Sequence, residues 1–286
     1  AAPTRAMGNI GTGGLRFTGN REGFEPFRET GGEVHALIVA CSYSYASGCD
    51  RLTGVRDGVL MSRMCGVAGV RDVVLMRDDL DPRDALFPTS RNVTDAMAAM
   101  GRRCGRDDYF LLCYSGHGVR VAATTSGEGS GGYDEALVLP GPDHELAEEH
   151  YLVNSDLAAA LDQHIPKDTR ILCLTDCCHS AAIAGIDTFG FAHRICAISA
   201  CQDSEKSVDT GSHGLLTLAI RNAMTELSVK KGMMEYSIQS VYSKAVKHAR
   251  RITRKQTLAI RCANVNPELS AWPLPQPWWR HIPGIL

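Results

Sequence analysis

The stretch RILCLTDCCHSA (residues 170–181) places an apolar run directly before two adjacent cysteines and a histidine. A short run that is apolar throughout is typical of a fully buried strand, so RILCLTD (170–176) predicts a strand that ends at the cysteine pair. The residues alone leave three interpretations open: one cysteine is a nucleophile, both bind a metal, or both are inert thiols.

Apolar runs of the same kind recur at VHALIVA (34–40), YFLLCYS (109–115) and RICAIS (194–199), with amphipathic stretches between them. Strands that are apolar on both faces and alternate with helices are typical of a parallel sheet that is covered on both sides. The sequence therefore predicts an α/β fold with a mostly parallel central sheet and helices on both faces.

Two helix starts are predicted from residues that commonly cap helices. Asn92 and Asp95 have the spacing of a capping box at the start of a predicted helix over 92–104. Ser155 is the predicted N-cap of a helix over 155–165.

Composition excludes several classes of protein. The net charge of −2 gives no general attraction to nucleic acid, and no stretch has the 18 apolar residues of a membrane span. The eleven cysteines are an odd number scattered through apolar runs, which favours free thiols in a reducing compartment. We therefore expect a cytoplasmic protein without nucleic-acid or membrane partners, although a targeting segment upstream of Ala1 stays open.

The run YFLLCYS ends at GHG, so His117 and the cysteine pair both follow strands. The carboxyl ends of parallel strands face one crevice, and this brings the imidazole and the thiols together if the strands are neighbours. A nearby imidazole activates a thiol, and the glycines around His117 allow the backbone to present an N–H group to an oxyanion. This pattern favours nucleophilic catalysis over inert thiols.

Other chemistries fit the sequence less well. A tyrosine-phosphatase loop needs an arginine at position 184, where this chain has Ala184. Zinc is disfavoured because adjacent ligands suit a tetrahedral site poorly and the chain has no C-x-x-C pair. The glycine-rich stretches do not form a phosphate loop between a strand and a helix, so no organic cofactor is expected.

Five ordered motifs resemble those of the metacaspases, which are caspase-fold cysteine peptidases. They are LTGVRD (52–57), YSGHG (114–118), GYDEALV (132–138), DCCHSA (176–181) and SACQDSEKSVD (199–209). The resemblance implies a three-layer caspase-like fold over residues 33–262, between an N-terminal arm (1–32) and a Pro/Trp-rich tail (263–286). The short link after DCCHSA resembles the type I arrangement, with a large-subunit-like region to about 190 and a small-subunit-like region from about 194.

The resemblance also assigns roles to the crevice residues. The family's nucleophile is the cysteine directly before the histidine, which is Cys178, whereas Cys177 occupies a variable position. His117 matches the general base and acid. The backbone N–H groups of Gly118 and Cys178 are the implied donors to the oxyanion. The implied reaction is endoproteolysis by a Cys178–His117 dyad.

The family's specificity is cleavage after Arg or Lys at P1, the residue before the cleaved bond. Asp57 and Asp176 match its two pocket carboxylates, and Ser115 is expected to line the same pocket. Arg56 replaces the usual asparagine, which makes it a candidate partner for Asp57. The expected partners are thus protein or peptide substrates with a basic P1 residue, and the family is expected to be monomeric.

Calcium is the cofactor that the resemblance implies, and the chain departs from the pattern there. Asp134 matches one acidic position and is the candidate calcium ligand, but the next pair falls on Asn154 and Ser155. A further aspartate is replaced by Gly185, with Asp187 two residues on. Calcium affinity falls with the number of charged ligands, so calcium activation stays open.

Two further departures concern processing and activity. Ala181 replaces a glycine after the nucleophile, and Arg194, at the start of a predicted strand, is the basic residue that the short link offers for self-cleavage. These departures leave a second interpretation: a catalytically silent caspase-fold scaffold that acts by binding other proteins.

Overall fold

The computed structural model describes residues 15–18, 32–122, 133–178, 183–202, 209–231 and 236–274. The side chains of 15–18 and 229–231 are outside this description. No helix in these ranges combines the length and the apolarity that a bilayer crossing requires.

The strands in the described part of the chain are β1 (Leu15–Thr18), β2 (Val34–Ala40), β3 (Asp72–Arg77), β4 (Tyr109–Ser115), β5 (Gly118–Ala122), β6 (Tyr133–Leu137), β7 (Leu152–Val153), β8 (Arg170–Asp176), β9 (Arg194–Ser199) and β10 (Ala259–Ala263). The α-helices there are α1 (Gly54–Val67), α2 (Ser90–Gly101), α3 (Asn154–His164), α4 (Leu215–Lys231) and α5 (Ile238–Ile252).

The central sheet has seven strands in the order β1-β10-β9-β8-β4-β2-β3. All neighbouring strands are parallel except β9 and β10, which are antiparallel. Every residue of β4 is buried, as expected for a strand covered on both faces. The predicted mostly parallel sheet is confirmed.

Helices cover both faces of this sheet. Buried side chains of α1, α4 and α5 pack in one hydrophobic cluster with the sheet residues Ile38 and Leu111. Buried side chains of α2 and α3 pack on the other side, around Leu37 and Leu112. Consecutive residues of a strand point to opposite faces, so the two clusters are the two interfaces of the predicted three-layer fold.

A second, antiparallel sheet in the order β5-β6-β7 begins where the central sheet ends. β4 ends at Ser115 and β5 starts at Gly118, so the chain passes from one sheet into the other within two residues. His117 lies in this connection.

Both predicted helix caps are wrong. Helix α2 starts at Ser90, and the hydroxyl of Thr89, rather than a side chain at Asn92, accepts the capping hydrogen bond from the Asn92 N–H at 3.1 Å. Helix α3 starts at Asn154 directly after β7, with Val153 at the N-cap. Because β7 pairs with β6 up to Val153, the helix begins before Ser155, which lies inside it.

Segments at both ends of the chain join the central domain. In the predicted arm, β1 pairs in parallel with β10. In the predicted tail, Trp272 and Leu274 are buried in the same cluster as α4 and α5.

Candidate active site

The site lies where β4 and β8 end side by side. The register pairs Ser115 with Asp176, so His117 and Cys178 each lie two residues beyond a matched pair. Gly118 then packs against the end of β8: a Cβ atom there would lie 2.1 Å from the carbonyl oxygen of Cys178. The two strand ends are therefore in direct contact, and the predicted oxyanion donors belong to two residues whose backbones touch.

The imidazole of His117 is oriented by the backbone of another loop. Its Nε2 lies 2.8 Å from the carbonyl oxygen of Asp50. A carbonyl oxygen only accepts hydrogen bonds, so Nε2 carries a proton, and in the neutral ring Nδ1 then has a lone pair. This tautomer leaves Nδ1 as the nitrogen that can accept a proton.

Tyr43 supports the same histidine. Its hydroxyl accepts a hydrogen bond from the His117 N–H at 2.8 Å and donates to the carbonyl of Val138 at 2.8 Å. The Tyr43 and His117 ring centroids are 4.7 Å apart. The backbone and the ring of His117 are therefore held separately, the first by Tyr43 and the second by Asp50.

The two adjacent cysteines differ in exposure. Cys177 is buried, and that burial raises the pKa of its thiol well above the ordinary value. The carbonyl oxygen of Cys177 accepts a hydrogen bond from the thiol of Cys201. Cys178 is partly exposed. Since the thiolate is the nucleophile, Cys177 is the less reactive of the pair. Ala181 lies outside the described residues.

The three predicted pocket residues are brought together. Asp57 is buried in α1, and its Oδ2 accepts a hydrogen bond from the Ser115 hydroxyl at 2.7 Å. Both Asp57 oxygens accept the N–H of Gly214, at 3.1 and 3.0 Å. The ring Nδ1 of His213 lies 2.8 Å from Asp57 Oδ1. The expected partner Arg56 is exposed and forms no ion pair with Asp57 among the described residues, so that expectation is wrong; the imidazole of His213 lies beside Asp57 instead.

Asp176 completes this group from the end of β8. Its Oδ2 accepts the Thr217 N–H at 2.8 Å near the start of α4. Burial, and after it the negative charge of Asp57, raises the pKa of the Asp176 carboxyl to about 7. Both carboxylates line a cavity of about 20 Å³ between the sheet, α1 and α4. That volume holds roughly one water molecule, which is less than a guanidinium group needs.

The residues at the expected calcium positions do not form a cluster of ligands in the described part of the chain. Asp134 lies on β6, and the amide nitrogen of Asn154 is 3.5 Å from Glu135. Asp187 forms an ion pair with Arg261 at 2.9 Å. Among the residues that the structure describes, no group of three or more His, Cys, Asp or Glu side chains could hold a metal ion. The described residues alone do not fit calcium, and its role stays a prediction.

Three contributors to the site were missed in the sequence: Asp50, Tyr43 and His213. Asp50 acts through its backbone carbonyl, so no side-chain motif marks it. Tyr43 is 74 residues from His117 along the chain, and His213 is 156 residues from Asp57. The GSHG turn that contains His213 follows the SACQD motif, but nothing in the sequence links it to Asp57.

A family model described as "Metacaspase, peptidase C14 domain" matches residues 35–187, which is more than half of the chain. The chain belongs to the metacaspase family. This match confirms the resemblance seen in the motifs.

Several curated metacaspases are similar to this chain. Metacaspase-1 of Meyerozyma guilliermondii is 26% identical over 180 residues, covering 61% of this chain and 42% of the relative. Metacaspase-5 of Trypanosoma cruzi is 28% identical over 163 residues, covering 55% and 35%. A protein named Inactive metacaspase-4 from Trypanosoma brucei brucei is 25% identical over 170 residues, covering 57% and 46%. The matched regions span less than half the length of each of these relatives.

A solved structure supports the fold. The crystal structure of a protein from Geobacter sulfurreducens superposes with a TM-score of 0.61 at 22% identity, covering 86% of this chain and 97% of that chain. This similarity confirms the three-layer α/β architecture of this metacaspase and extends to no other property.

Proposed function

We propose that the protein is a cysteine endopeptidase that cleaves after Arg or Lys, with Cys178 as nucleophile and His117 as general base. The observation that carries the proposal is the His117 imidazole, which the Asp50 carbonyl holds in the tautomer with a free Nδ1. Activation of a thiol needs a nearby base that can accept its proton. His117 follows β4, Cys178 follows the neighbouring strand β8, and Cys178 is partly exposed.

The reaction follows from these groups. Nδ1 of His117 takes the proton of the Cys178 thiol, and the sulfur attacks the carbonyl carbon of the scissile peptide bond. The N–H groups of Gly118 and Cys178 stabilise the oxyanion. The C–N bond then breaks as His117 gives its proton to the leaving amine, which leaves a thioester. Water, deprotonated by His117, attacks the thioester, and the acid product leaves as the thiol regains its proton.

The preference for a basic P1 side chain is supported by the two neighbouring carboxylates, Asp57 and Asp176. Two carboxylates can bind a guanidinium, whereas an acidic P1 side chain would add a like charge. Burial and the negative charge of Asp57 raise the pKa of the Asp176 carboxyl. A substrate cation between the two acids would favour the ionised form of both.

A screen of fluorogenic peptides that differ only at P1 tests the proposal. We expect cleavage of the Arg and Lys peptides, no cleavage of the Asp peptide, and loss of activity in Cys178→Ala. Asp57→Asn and Asp176→Asn should each raise KM for the basic peptides. Cleavage after Asp, or unchanged selectivity in both Asn variants, contradicts the proposed pocket.

Calcium enters as a separate arm of the same screen. We propose calcium as a candidate activator because Asp134 matches an acidic family position. Activity that appears with calcium and disappears with EDTA supports this role. Equal rates in both conditions exclude it. A cytoplasmic location and a monomeric state remain predictions from the sequence.

A binding scaffold is the second candidate function. It is favoured by the burial of both pocket carboxylates and by the small volume of the cavity beside them. The two candidates differ in one property: a scaffold does not need a reactive thiol at Cys178. Covalent labelling of that thiol therefore separates them.

A further inference from the structure

The Asp57 carboxylate of the proposed P1 pocket already has an imidazole beside it. The imidazole of His213 lies 2.8 Å from Asp57, and the exposed fractions of the two side chains are 22% and 2%. His213 is therefore the more accessible member of the pair and lies on its solvent side. A substrate side chain that reaches for Asp57 meets His213 first.

We propose that His213 is a specificity-determining residue of the P1 pocket, where its protonated imidazole competes with the basic side chain of the substrate for Asp57. This inference rests on the proposed function. Histidine is the side chain that ordinarily changes charge between about pH 5 and 8, so the competition depends on pH in that range. A charge on the His213 imidazole thus lowers the selectivity for Arg and Lys substrates.

Three acidic residues from three parts of the chain lie around His213 and its neighbour Gly214. Asp57 comes from α1, Asp176 from the end of β8, and Asp209 from the same turn as His213. Asp209 accepts hydrogen bonds from the Thr53 N–H and hydroxyl at 2.7 and 2.8 Å, which ties this turn to the start of α1. The turn that carries the His213 imidazole is thus held against the start of α1, beside acidic side chains.

Gly214 links His213 to the second carboxylate. Its N–H donates to Asp57, and a Cβ at Gly214 would lie 2.3 Å from an oxygen of Asp176. The backbone next to His213 therefore covers both acids.

The charge of the group changes strongly between pH 6 and 8. Asp176 holds a proton at pH 6 because burial raises the pKa of its carboxyl to about 7. The proton on Asp176 removes one negative charge from the pocket, which then attracts cations more weakly. At pH 8 the Asp176 carboxyl is ionised, and the pocket attracts a guanidinium more strongly.

The test measures kcat/KM for two peptides that differ only at P1, one with arginine and one with its neutral analogue citrulline. Their ratio cancels the ionisation of Cys178 and His117, which acts on both peptides equally. In the wild type we expect the ratio to rise from pH 6 to pH 8. A flat wild-type ratio overturns the inference without any variant.

His213→Asn isolates the contribution of the histidine. The Asn amide can donate to Asp57 from nearly the position of Nδ1 but carries no charge. At pH 6 we expect the Arg/citrulline ratio of the variant to exceed that of the wild type by about tenfold, since one close charge is removed. At pH 8 the two ratios should converge.

His248→Gln is the matched control, because His248 also pairs with a carboxylate, Glu226 at 3.0 Å, but toward the far end of α4. The Arg/citrulline ratio of this variant should equal that of the wild type at every pH. If His213→Asn follows the wild type too, or is lower at every pH, His213 does not compete and the inference fails while the proposed function stands. If neither peptide is cleaved, the proposed function and the inference fail together.

Discussion

Gly118 and Cys178 are in such close contact that position 118 has no room for a side chain. A Cβ atom there would lie 2.1 Å from the carbonyl oxygen of Cys178 and 3.1 Å from the Cys177 sulfur. This contact sets the distance between the end of β4, which carries His117, and the end of β8. The glycine in the SGHG motif is thus required by packing as well as by any role of its N–H group.

Gly118→Ala should therefore separate the base from the nucleophile. The added methyl group must displace backbone atoms, and a displacement of about 1 Å in a catalytic group lowers kcat by roughly 100-fold. The measurement is kcat for an arginine peptide, with circular dichroism to verify folding.

Gly66→Ala is the control for that change. Gly66 lies in α1, and a Cβ there would meet nothing within 4 Å. The variant should keep wild-type kcat. Wild-type activity in Gly118→Ala as well would show that the strand ends tolerate separation, which contradicts the close-contact account.

Tyr43→Phe tests the support of His117. The change removes the acceptor of the part-buried His117 N–H and should cost about 1 kcal/mol of stability. We also expect kcat to fall by about tenfold or more, because the base is no longer held in register. The readouts are urea unfolding and kcat.

Tyr242→Phe provides the comparison. Tyr242 lies in α5, and its hydroxyl donates to the carbonyl of Leu258 at 2.9 Å, in a contact that does not involve the site. Its stability should fall by a similar amount with unchanged kcat. If both variants lose only stability, Tyr43 is a structural residue alone.

The central fold was predictable because its inner strands are short, mostly apolar runs. Strands β2, β4 and β8 have the predicted bounds, since a fully buried strand is a continuous apolar run with clear ends. The helix starts at Ser90 and Asn154 were less predictable. Each depends on where the preceding segment stops, and for α3 that is set by the pairing of Val153 in β7 rather than by a local residue type.

Only those site residues that act through side chains within a sequence motif were predictable. Cys178, His117, Asp57 and Asp176 lie in motifs, and the fold brings the last two to one cavity. The Asp50 carbonyl has no sequence signature, because every residue has one. His213 was not expected because its link to Asp57 depends on the packing of the GSHG turn over the start of α1.

The protonation of Asp176 predicts a dependence of stability on pH. Its folded pKa of about 7 is above the value of about 3.9 in an unfolded chain, so the folded state binds the proton more tightly between those pH values. This stabilising contribution is complete below pH 4 and is lost as pH rises through 7. The Asp176→Asn side chain cannot ionise, so this variant does not lose stability at that position as the pH rises.

The Tm of Asp176→Asn should consequently rise relative to wild type from pH 4 to 7 and then level off. Asp143→Asn, in an exposed loop, should show the same difference from wild type at each pH. A wild-type Tm that runs parallel to that of Asp176→Asn throughout would mean that Asp176 is ionised in the fold at all these pH values.

Covalent labelling tests the central claim most directly. An arginine-based chloromethyl ketone alkylates a reactive thiol within reach of the P1 pocket, and mass spectrometry locates the adduct. We predict one adduct on Cys178 in the wild type and in Cys177→Ala, and none in Cys178→Ala. An adduct on Cys177, or labelling that persists in Cys178→Ala, would contradict the assignment of Cys178 as the nucleophile.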